Sequence, residues 1–488
     1  MIDNGGIKPM AKKRTNSIWK DARTYFIGLL LLSMVALVIQ LLIIDMLPMK
    51  YFAIIVVVLL VLFGLMWLLQ YAKGINKLNR TLGKIMIVLL SGLLIFANIY
   101  AFIGGNTLGV ITGDKENITE ISVVVLKNDT AQKLSDLEDD AFGVLNIDRD
   151  NTNYAVDKIK KDLHDEISTI GYTNINDMAN ALYQGEARAI VLNESYRSMI
   201  EEESYPDFSD ETKVIKRYKR VTKAKSNQKK VSVTNEAFNV LITGNDRYGS
   251  INTGSRSDVN IIMTVNPNTK TILMTSIPRD YYVRIPCYEN EYDKLTHAGN
   301  GGALCSAQTL EQKFGIDINY YLRVNFSSLI DIVDVLGGID VQVTNSFSDG
   351  TYQFIAGVQH MDGAMALAFS RDRYHQADGD RDRGKNQMLV IDAIIDKAIS
   401  PSIITNYTNM MSVVSGSFET NMESDDITDL VKMQLDEMSG WNMIHQSVDG
   451  SGDTRYSYQN GFNSYVMIPN EESVAAAIQQ INAVMSGN

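Results

Sequence analysis

The chain has 488 residues, of which 45% are hydrophobic and 21% are charged, and its 57 acidic residues outnumber its 45 basic ones to give a formal net charge of -12. That length allows about two to four domains, and the hydrophobic share excludes a disordered chain. Two cysteines are too few for a disulfide-rich miniprotein. The acidic balance argues against a general nucleic-acid coat and against nucleic acid as a partner, because any basic site must then be local.

The first hundred residues contain three long apolar segments, at residues 26–44, 51–72 and 85–104, and none of them carries a charged side chain. Each is long enough to cross a hydrocarbon core of about 30 Å as a helix. A cleaved signal peptide would contain only one short apolar core. Buried helices of a soluble protein are the weaker alternative, because three such runs in succession are rare outside membranes. We therefore predict a cytoplasmic N-terminus over residues 1–24 and three transmembrane helices within residues 25–104.

Basic residues predict the orientation of these helices. Six Lys and Arg lie between residues 8 and 23, and four more lie between residues 73 and 84. Both groups belong on the cytoplasmic side by the positive-inside rule. Three crossings of the cell membrane then place everything after about residue 105 outside the cell. Because ATP is not supplied there, a bond-forming reaction must use an activated substrate.

The outer part begins with a segment that alternates between strand and helix patterns. Residues 115–205 have strand patterns at 121–126, 142–147 and 189–192, and helix patterns at 154–167 and 177–183. This alternation predicts a small α/β accessory domain. It contains no phosphate or metal motif, so a spacer or docking role is the simplest interpretation. Residues 206–235 change from acidic to basic, which predicts a linker that holds at most one strand; its basic run is either solvated or in contact with anionic membrane lipid.

A second, larger domain is predicted over residues 236–488. A strand pattern at 238–243 is followed by a hairpin at 259–265 and 271–277, then by a helix at 327–336 and a strand at 339–343. This order favours a mixed α/β sheet layered with helices. The predicted fold class is therefore α/β, in two domains that follow three transmembrane helices.

Two carboxylates lie at neighbouring strand ends of this larger domain. Asp246 follows the first strand, and Asp258 directly precedes the next one. Oxygen ligands at such ends can converge on one hard cation, of which Mg²⁺ fits best if a phosphate completes its shell, with Mn²⁺ as the alternative. Asp is also common in turns, which is the structural alternative.

Several basic residues lie at other strand and loop edges of the same domain: Arg256, Arg279, Lys294, Arg371, Arg373 and Arg383. Arg371 and Arg373 are two apart, so an extended segment would present both on one face, whereas Arg383 and Gln387 are four apart, as on one face of a helix. Guanidinium groups bind phosphate oxygens bidentately, so this set predicts a pyrophosphate clamp. Aspartates are interleaved over residues 371–385, which leaves a salt-bridge network as the alternative.

Other catalytic motifs are absent from the sequence. Residues 249–257 resemble a P-loop but lack its Gly-Lys-Ser/Thr ending, and neither Gly-x-Ser-x-Gly nor His-Glu-x-x-His occurs. His297 and His375 lie beside the basic motifs, where a structural role is the simpler interpretation. Cys287 and Cys305 bracket Lys294, and outside the membrane they are predicted to form a disulfide that holds Lys294 against the site, with two free thiols as the alternative.

Seven motifs, in their order and spacing, resemble those of the LytR-CpsA-Psr family of Gram-positive bacteria. They lie at residues 244–247, 255–258, 266–267, 276–280, 293–299, 335–341 and 370–387. The resemblance is strong over residues 236–400, and the three spans with a small outer domain are similar to the streptococcal-type capsule members. Residues 299–302 and 385–386 depart from the family pattern.

The resemblance implies a phosphotransferase that moves a glycopolymer, capsular or teichoic-acid-like, from undecaprenyl pyrophosphate to peptidoglycan through a phosphodiester. It assigns Asp246 and Asp258 to Mg²⁺, and these two with Arg256 and Arg279 to catalysis. The residues expected to contact the pyrophosphate and headgroup are Arg256, Arg279, Lys294, Arg371, Arg373, Arg383 and Gln387. Asp258 or Asp280 is the expected base, and the lipid tail is expected in an apolar tunnel. Membrane lipid and capsule-assembly membrane proteins are further expected partners.

Two other functions compete with this one. The chain could be a membrane regulatory protein, of the transcriptional attenuator type, that binds lipid-linked polymer through residues 105–205 and the spans. It could also be a hydrolase of lipid pyrophosphates, which would release a phosphate-terminated product to water without an acceptor.

Overall fold

The structure is a computed structural model that describes residues 21–45, 47–112, 116–223, 229–245, 255–373, 380–400 and 418–488. It forms two compact units, Met1–Gly105 and Asn106–Asn488. The predicted metal ligand Asp246 and His375 both lie outside the described residues.

The first unit consists of apolar helices that pack on one another. They are α1 (Ala22–Ile44), α2 (Met49–Tyr71) and α3 (Lys77–Thr112). Each is long and apolar enough to cross a membrane, which confirms the three predicted spans. Leu30 and Ile87 are fully buried between the helices, whereas Leu32 and Leu89 are exposed on the outer side, as expected of side chains that face lipid.

The second unit begins with the accessory domain, in which a five-stranded mixed sheet has the order β3-β2-β4-β1-β5. Its strands are β1 (Glu116–Leu126), β2 (Ala141–Leu145), β3 (Ser168–Tyr172), β4 (Ala189–Asn193) and β5 (Thr212–Lys223). Its helices are α4 (Arg149–Leu163), α5 (Ile175–Gln184), α6 (Arg197–Glu203) and α7 (Phe208–Glu211). Apolar side chains form a core on each face of the sheet, so the α/β prediction for this domain is confirmed.

The accessory domain extends further along the chain than the sequence predicted. Strand β5 pairs antiparallel with β1, from Thr212 opposite Leu126 to Lys223 opposite Glu116. The predicted boundary at residue 205 is therefore too early, and the predicted linker over 206–235 is too long. Its basic run contains a strand of period two, in which Tyr218 faces the core while its neighbours Arg217 and Lys219 point the other way and form ion pairs with Glu120.

The rest of the second unit is the larger domain, built on a six-stranded sheet of order β16-β11-β6-β7-β8-β17. Its strands are β6 (Phe238–Gly244), β7 (Val259–Asn266), β8 (Thr271–Ser276), β9 (Tyr282–Ile285), β10 (Glu291–Lys294), β11 (Tyr320–Val324), β12 (Ile339–Val343), β13 (Phe347–Ser348), β14 (Gln353–Phe354), β15 (Gly357–Met361), β16 (Glu419–Thr420), β17 (Asn442–Ser447), β18 (Gly450–Ser457) and β19 (Phe462–Pro469). Its helices are α8 (Leu295–Ala298), α9 (Ala303–Phe314), α10 (Phe326–Val335), α11 (Gly363–Arg371), α12 (Asp380–Ile399), α13 (Ser424–Glu437) and α14 (Glu471–Ser486).

Strand directions in this sheet bring several polar strand ends to one edge. β6 runs parallel to β11 and antiparallel to β7, and β8 is antiparallel to β7. Gly244 at the end of β6 therefore lies opposite both Val259, where β7 begins, and Val324, where β11 ends. Residues that directly precede β7 or follow β6, β8 and β11 must meet at this edge. The mixed sheet and the predicted hairpin are confirmed, and the predicted helix at 327–336 is α10.

The accessory and larger domains are joined by hydrogen bonds between α5 and the β18–β19 turn. The main-chain amide of Ile175 donates to the carbonyl oxygen of Gln459 at 3.2 Å, and Asn176 Nδ2 donates to the carbonyl oxygen of Asn460 at 3.0 Å. The side chains of Ile175 and Asn176 are both buried. Because a buried main-chain group is costly to leave unpaired, these bonds fix how α5 meets the turn.

A glycine allows this close approach. Gly461 has a φ of +82°, and a Cβ atom there would lie 2.1 Å from Cγ of Asn174, the residue that caps α5. Gly350, in the β13–β14 turn, has a similar φ of +91° but nothing within 4 Å of the same position. The two glycines therefore differ in the space around them rather than in backbone conformation.

Replacing Gly461 with alanine should weaken the contact between the accessory and larger domains. Both Gly461→Ala and Gly350→Ala introduce left-handed strain, but only the first forces Asn174 away, which should lower the free energy of unfolding by about 1–3 kcal/mol more. Chemical denaturation measures the difference, and hydrogen exchange should show faster exchange of the Ile175 amide in Gly461→Ala alone. Equal losses of stability in the two variants would contradict the close approach.

Candidate functional site

A cavity of about 1290 Å³ opens at the sheet edge where the polar strand ends meet. Its charged and polar lining includes most of the predicted site: Arg256, Asp258, Arg279, Arg371, Arg373, Arg383 and Gln387. Its apolar lining comes from the sheet face and from α10, α11 and α12: Ile242, Met263, Leu322, Leu329, Ile332, Leu367, Val390, Ile391, Ile394 and Ile395. The residues that the sequence placed far apart therefore share one site.

Polar and apolar lining residues follow one another along α12. Arg383 and Gln387 lie in its first two turns, and Val390, Ile391, Ile394 and Ile395 continue the same helical face. At 1.5 Å per residue, Ile395 lies about 18 Å along the helix axis from Arg383. The cavity thus has a cationic head at the sheet edge and an apolar wall that leads away from it.

The centre of the head is an ion pair between Arg279 and Asp258. Arg279 Nη1 donates to Asp258 Oδ1 at 2.6 Å, and Thr296 Oγ1 donates to the same oxygen at 3.4 Å. Burial raises the pKa of Asp258, but the charges of Arg279 and Arg256 outweigh burial and hold that pKa below its ordinary value. The carboxylate therefore stays ionised between two guanidinium groups.

Arg256 is the most enclosed of these cations. Its side chain is 9% exposed, and burial lowers its pKa while the nearby Asp258 carboxylate opposes that change. A buried guanidinium group keeps its charge, so it attracts anions strongly in this environment of low polarity. The head of the cavity is consequently a site for a phosphate or another multivalent anion.

The loop that carries Arg256 and Asp258 is held by hydrogen bonds to α8. The Ser257 amide donates to the Thr296 carbonyl oxygen at 2.9 Å, and the Thr296 amide donates to the Arg279 carbonyl oxygen at 2.8 Å. Gly299 lies against this loop, and a Cβ atom on it would be 2.5 Å from the Ser257 nitrogen and 2.6 Å from the Ser255 oxygen. The absence of a side chain at Gly299 therefore lets the loop approach the helix.

Of the other arginines, Arg371 and Arg383 reach the cavity from two helices, and Arg373 reaches it from the segment after α11. Arg371 is the last residue of α11, not part of an extended segment, so the predicted reason for its proximity to Arg373 was wrong, although both residues line the cavity. The Arg371 guanidinium carbon lies 4.3 Å from the ring centre of Phe326, which orients it by a cation–π contact. Arg383 and Gln387 lie on one helix, as predicted.

Lys294 and His297 occupy other positions. Lys294 is not among the described residues that line the cavity; its Nζ lies 3.3 Å from Glu203 Oε1, so a contact with pyrophosphate stays a prediction. His297 is buried, and its Nδ1 lies 2.8 Å from Asp293 Oδ1, which favours the structural role. Cys287 and Cys305 form the predicted disulfide, with their Cα atoms 5.9 Å apart.

No motif in the sequence indicated that residues of the accessory domain line the cavity. Arg197, Ser198, Glu201 and Glu202 come from α6 and line it beside the arginines. Glu202 forms an ion pair with Arg256. These positions depend on how the two domains pack.

Two buried oxygen atoms at the head could bind a cation. Asp258 Oδ2 and Asn245 Oδ1 have no hydrogen-bond partner among the residues that the structure describes. Both are ligands that Mg²⁺ accepts. Within that same part of the chain, no three His, Cys, Asp or Glu side chains form a group that could hold a metal ion. The donor set therefore fits a hard cation that takes its remaining ligands from elsewhere, such as a phosphate.

The family model described as the LytR_cpsA_psr family matches residues 205–481, which is more than half of the chain. This chain belongs to the LytR-CpsA-Psr family. A relative in Enterococcus faecalis (strain ATCC 700802 / V583), named polyisoprenyl-teichoic acid--peptidoglycan teichoic acid transferase TagU, is 36% identical over 242 residues, covering 49% of this chain and 78% of the relative. A relative of the same name in Bacillus subtilis (strain 168) is 37% identical over 215 residues, covering 44% of this chain and 69% of the relative.

A solved structure described as that of B. subtilis TagU is 31% identical and covers 51% of this chain and 97% of its own, with a TM-score of 0.41. Family membership confirms the resemblance that the motifs at residues 244–247 to 370–387 indicated.

Substituting Gly299 should disturb the loop that carries Arg256 and Asp258. In Gly299→Ala the added methyl group meets main-chain atoms, which cannot move aside as a side chain can, so we expect a loss of about 1–3 kcal/mol in the free energy of unfolding. Gly440→Ala is the matched control, because nothing lies within 4 Å of its Cβ position. Thermal or chemical unfolding of both variants makes the comparison. A neutral Gly299→Ala would show that the loop does not pack against α8 as described.

Proposed function

We propose that this chain is a membrane-anchored phosphotransferase that moves a teichoic acid or a related glycopolymer from a polyisoprenyl pyrophosphate carrier to peptidoglycan. The observation that carries the proposal is the cavity whose cationic head continues into an apolar wall. The names of the E. faecalis and B. subtilis relatives support the same activity. A donor with a charged headgroup and a long isoprenoid tail matches both ends of the cavity.

The head suits a pyrophosphate. Arg256 and Arg279 are both largely buried, so their interaction with an anion is weakly screened by water. Arg371, Arg373 and Arg383 add further guanidinium groups around the same cavity. Guanidinium groups bind phosphate oxygens through pairs of parallel hydrogen bonds, so several of them stabilise a group that gains negative charge as it reacts.

The reaction is the attack of a peptidoglycan sugar hydroxyl on the phosphorus next to the glycopolymer. A new phosphorus–oxygen bond forms to the sugar, and the bond from that phosphorus to the bridging oxygen breaks. Polyprenyl phosphate leaves with the electron pair of the broken bond, and the proton of the attacking hydroxyl passes to a base, for which Asp280 is the remaining candidate. The pyrophosphate linkage provides the driving force, so no nucleotide is required.

The low pKa of Asp258 bears on its role. A carboxylate held between Arg279 and Arg256 accepts a proton poorly, so we assign Asp258 to charge stabilisation rather than to the role of general base. We also propose that Asp258 holds Mg²⁺, or Mn²⁺, together with Asp246. Such an ion would neutralise charge on the phosphate oxygens.

The positive-inside pattern supports an orientation in which the second unit lies outside the cell. Peptidoglycan and the outward-facing lipid-linked polymer are found there, so donor, acceptor and site would share one compartment. The three apolar helices keep the site beside a donor that is itself held in the membrane. Contact with capsule-assembly membrane proteins is a further proposal of the same kind.

Removing the central ion pair should stop transfer. Arg279→Ala and Asp258→Ala should each lower the rate of glycopolymer transfer from a synthetic lipid-linked donor to peptidoglycan by about 100-fold or more, because each leaves a buried charge without its partner and weakens stabilisation of the transferring phosphate. Arg284→Ala is the matched control, since Arg284 is exposed on β9 and stacks on Tyr292 rather than lining the cavity.

Other outcomes of that assay would identify a different function. Release of a phosphate-terminated polymer to water without any acceptor would indicate a hydrolase. Full transfer by both variants would show that the Arg279–Asp258 ion pair takes no part in the transfer reaction. In cells that lack redundant paralogues, unchanged wall-linked polymer in Arg279→Ala would give the same answer.

A further inference from the structure

An acidic segment of the accessory domain, residues 201–203 at the end of α6, reaches into the head of the cavity. Glu202 Oε2 forms an ion pair with Arg256 Nη1, and its Oε1 lies 4.0 Å from Arg279 Nη2. The two arginine side chains are 9% and 15% exposed, whereas that of Glu202 is 44% exposed. A partly solvated carboxylate thus contacts two buried cations that belong to the other domain.

The neighbouring residue anchors this acidic segment to the larger domain. Glu203 Oε1 lies 3.3 Å from Lys294 Nζ and also accepts a hydrogen bond of 3.3 Å from Asn460 Nδ2. The Glu203 side chain is largely buried. Asn460 also accepts the bond from Asn176 that joins the domains. The position of Glu202 is therefore set by the packing of the two domains around it.

A carboxylate in this position binds guanidinium groups as a phosphate group does. Buried guanidinium groups are costly without an anion, and a carboxylate forms the same charge-assisted hydrogen bonds as a phosphate does. Because Glu202 remains exposed on one side, it can swing into water when another anion takes its place. The exchange leaves neither charge uncompensated, since the departing carboxylate is hydrated and the incoming anion pairs with Arg256.

We infer that Glu202 is an intramolecular competitor for the phosphate-binding arginines, which the donor's pyrophosphate must displace before it can bind. The inference rests on the proposed function and assigns the accessory domain a part in donor recognition. An anion that contacts only Arg256 and Arg279 makes about the same interactions as Glu202 does, so it displaces Glu202 poorly. A pyrophosphate is large enough to contact Arg371, Arg373 and Arg383 as well, which line the same cavity.

A role for Glu202 as general base is less consistent with the geometry. Its carboxylate forms an ion pair with Arg256 and faces Arg279, so its oxygens are already in contact with cations. The competitor role therefore predicts an effect of Glu202 on donor affinity, whereas the base role predicts an effect on the chemical step.

The test measures how tightly the full-length protein in detergent binds inorganic pyrophosphate and a soluble short-chain isoprenyl pyrophosphate. Glu202→Gln removes the charge at nearly constant size and should tighten both ligands on the order of tenfold, with a lower KM and an unreduced kcat for transfer. Glu202→Asp keeps the charge but shortens the side chain, so it should also tighten binding if contact with the arginines is what matters. Asp210→Asn is the matched control, because Asp210 is an exposed carboxylate of the same domain and does not line the cavity.

Each other result has a distinct meaning. Equal or weaker pyrophosphate binding in Glu202→Gln overturns the inference while leaving the proposed function in place, and a loss of kcat at saturating donor does the same in favour of a general base. Equal tightening in Asp210→Asn would show a long-range charge effect rather than competition, and would also overturn it. If neither the wild-type chain nor Glu202→Gln binds pyrophosphate at all, the proposed function fails, and the inference fails with it.

Discussion

The structure depends on keeping guanidinium groups charged inside a cavity whose walls are mostly apolar. Arginine does not give up its proton on burial, so Arg256 and Arg279 need anions within reach. Asp258 provides one from the loop before β7, and Glu202 provides another from a different domain. The site without its donor is thus an assembly of charges that compensate one another, ready to exchange one carboxylate for a phosphate.

The fold serves this arrangement by its strand order. Because β7 is antiparallel to its neighbours β6 and β8, the loop that enters β7 and the segments that leave β6 and β8 emerge at one edge of the sheet. Charged residues at that edge are then held by short connections. α12 lies across the same region, with its first turns polar and its later turns apolar, so a single helix spans the change from headgroup to tail.

Sequence patterns predicted the parts of this molecule that are encoded locally. The charge-free segments predicted the three helices, an apolar run that ends at Gly244 predicted β6, and the turn at residues 266–268 predicted the hairpin of β7 and β8. The four-residue spacing of Arg383 and Gln387 placed them on one helical face. Arg371 was assigned to an extended segment because residues two apart, such as Arg371 and Arg373, share one face of a strand, whereas the structure ends α11 at Arg371.

What the sequence could not predict depends on contacts between distant segments. β5 looked like a linker because its strand period is masked by lysines and arginines, and only pairing with β1 makes it a strand. Glu202 had no motif around it, and its proximity to Arg256 follows from the packing of α5 against the β18–β19 turn. No local pattern encodes such a contact between domains.

The most direct measurement compares the affinity of the full-length protein for three ligands: inorganic pyrophosphate, an isoprenyl alcohol, and the isoprenyl pyrophosphate that combines them. If the cationic head and the apolar wall form one site, the combined ligand should bind at least about 100-fold more tightly than either part, because linking two fragments that bind side by side makes the second contact intramolecular. An isoprenyl pyrophosphate that binds no better than inorganic pyrophosphate would contradict a single site for headgroup and tail.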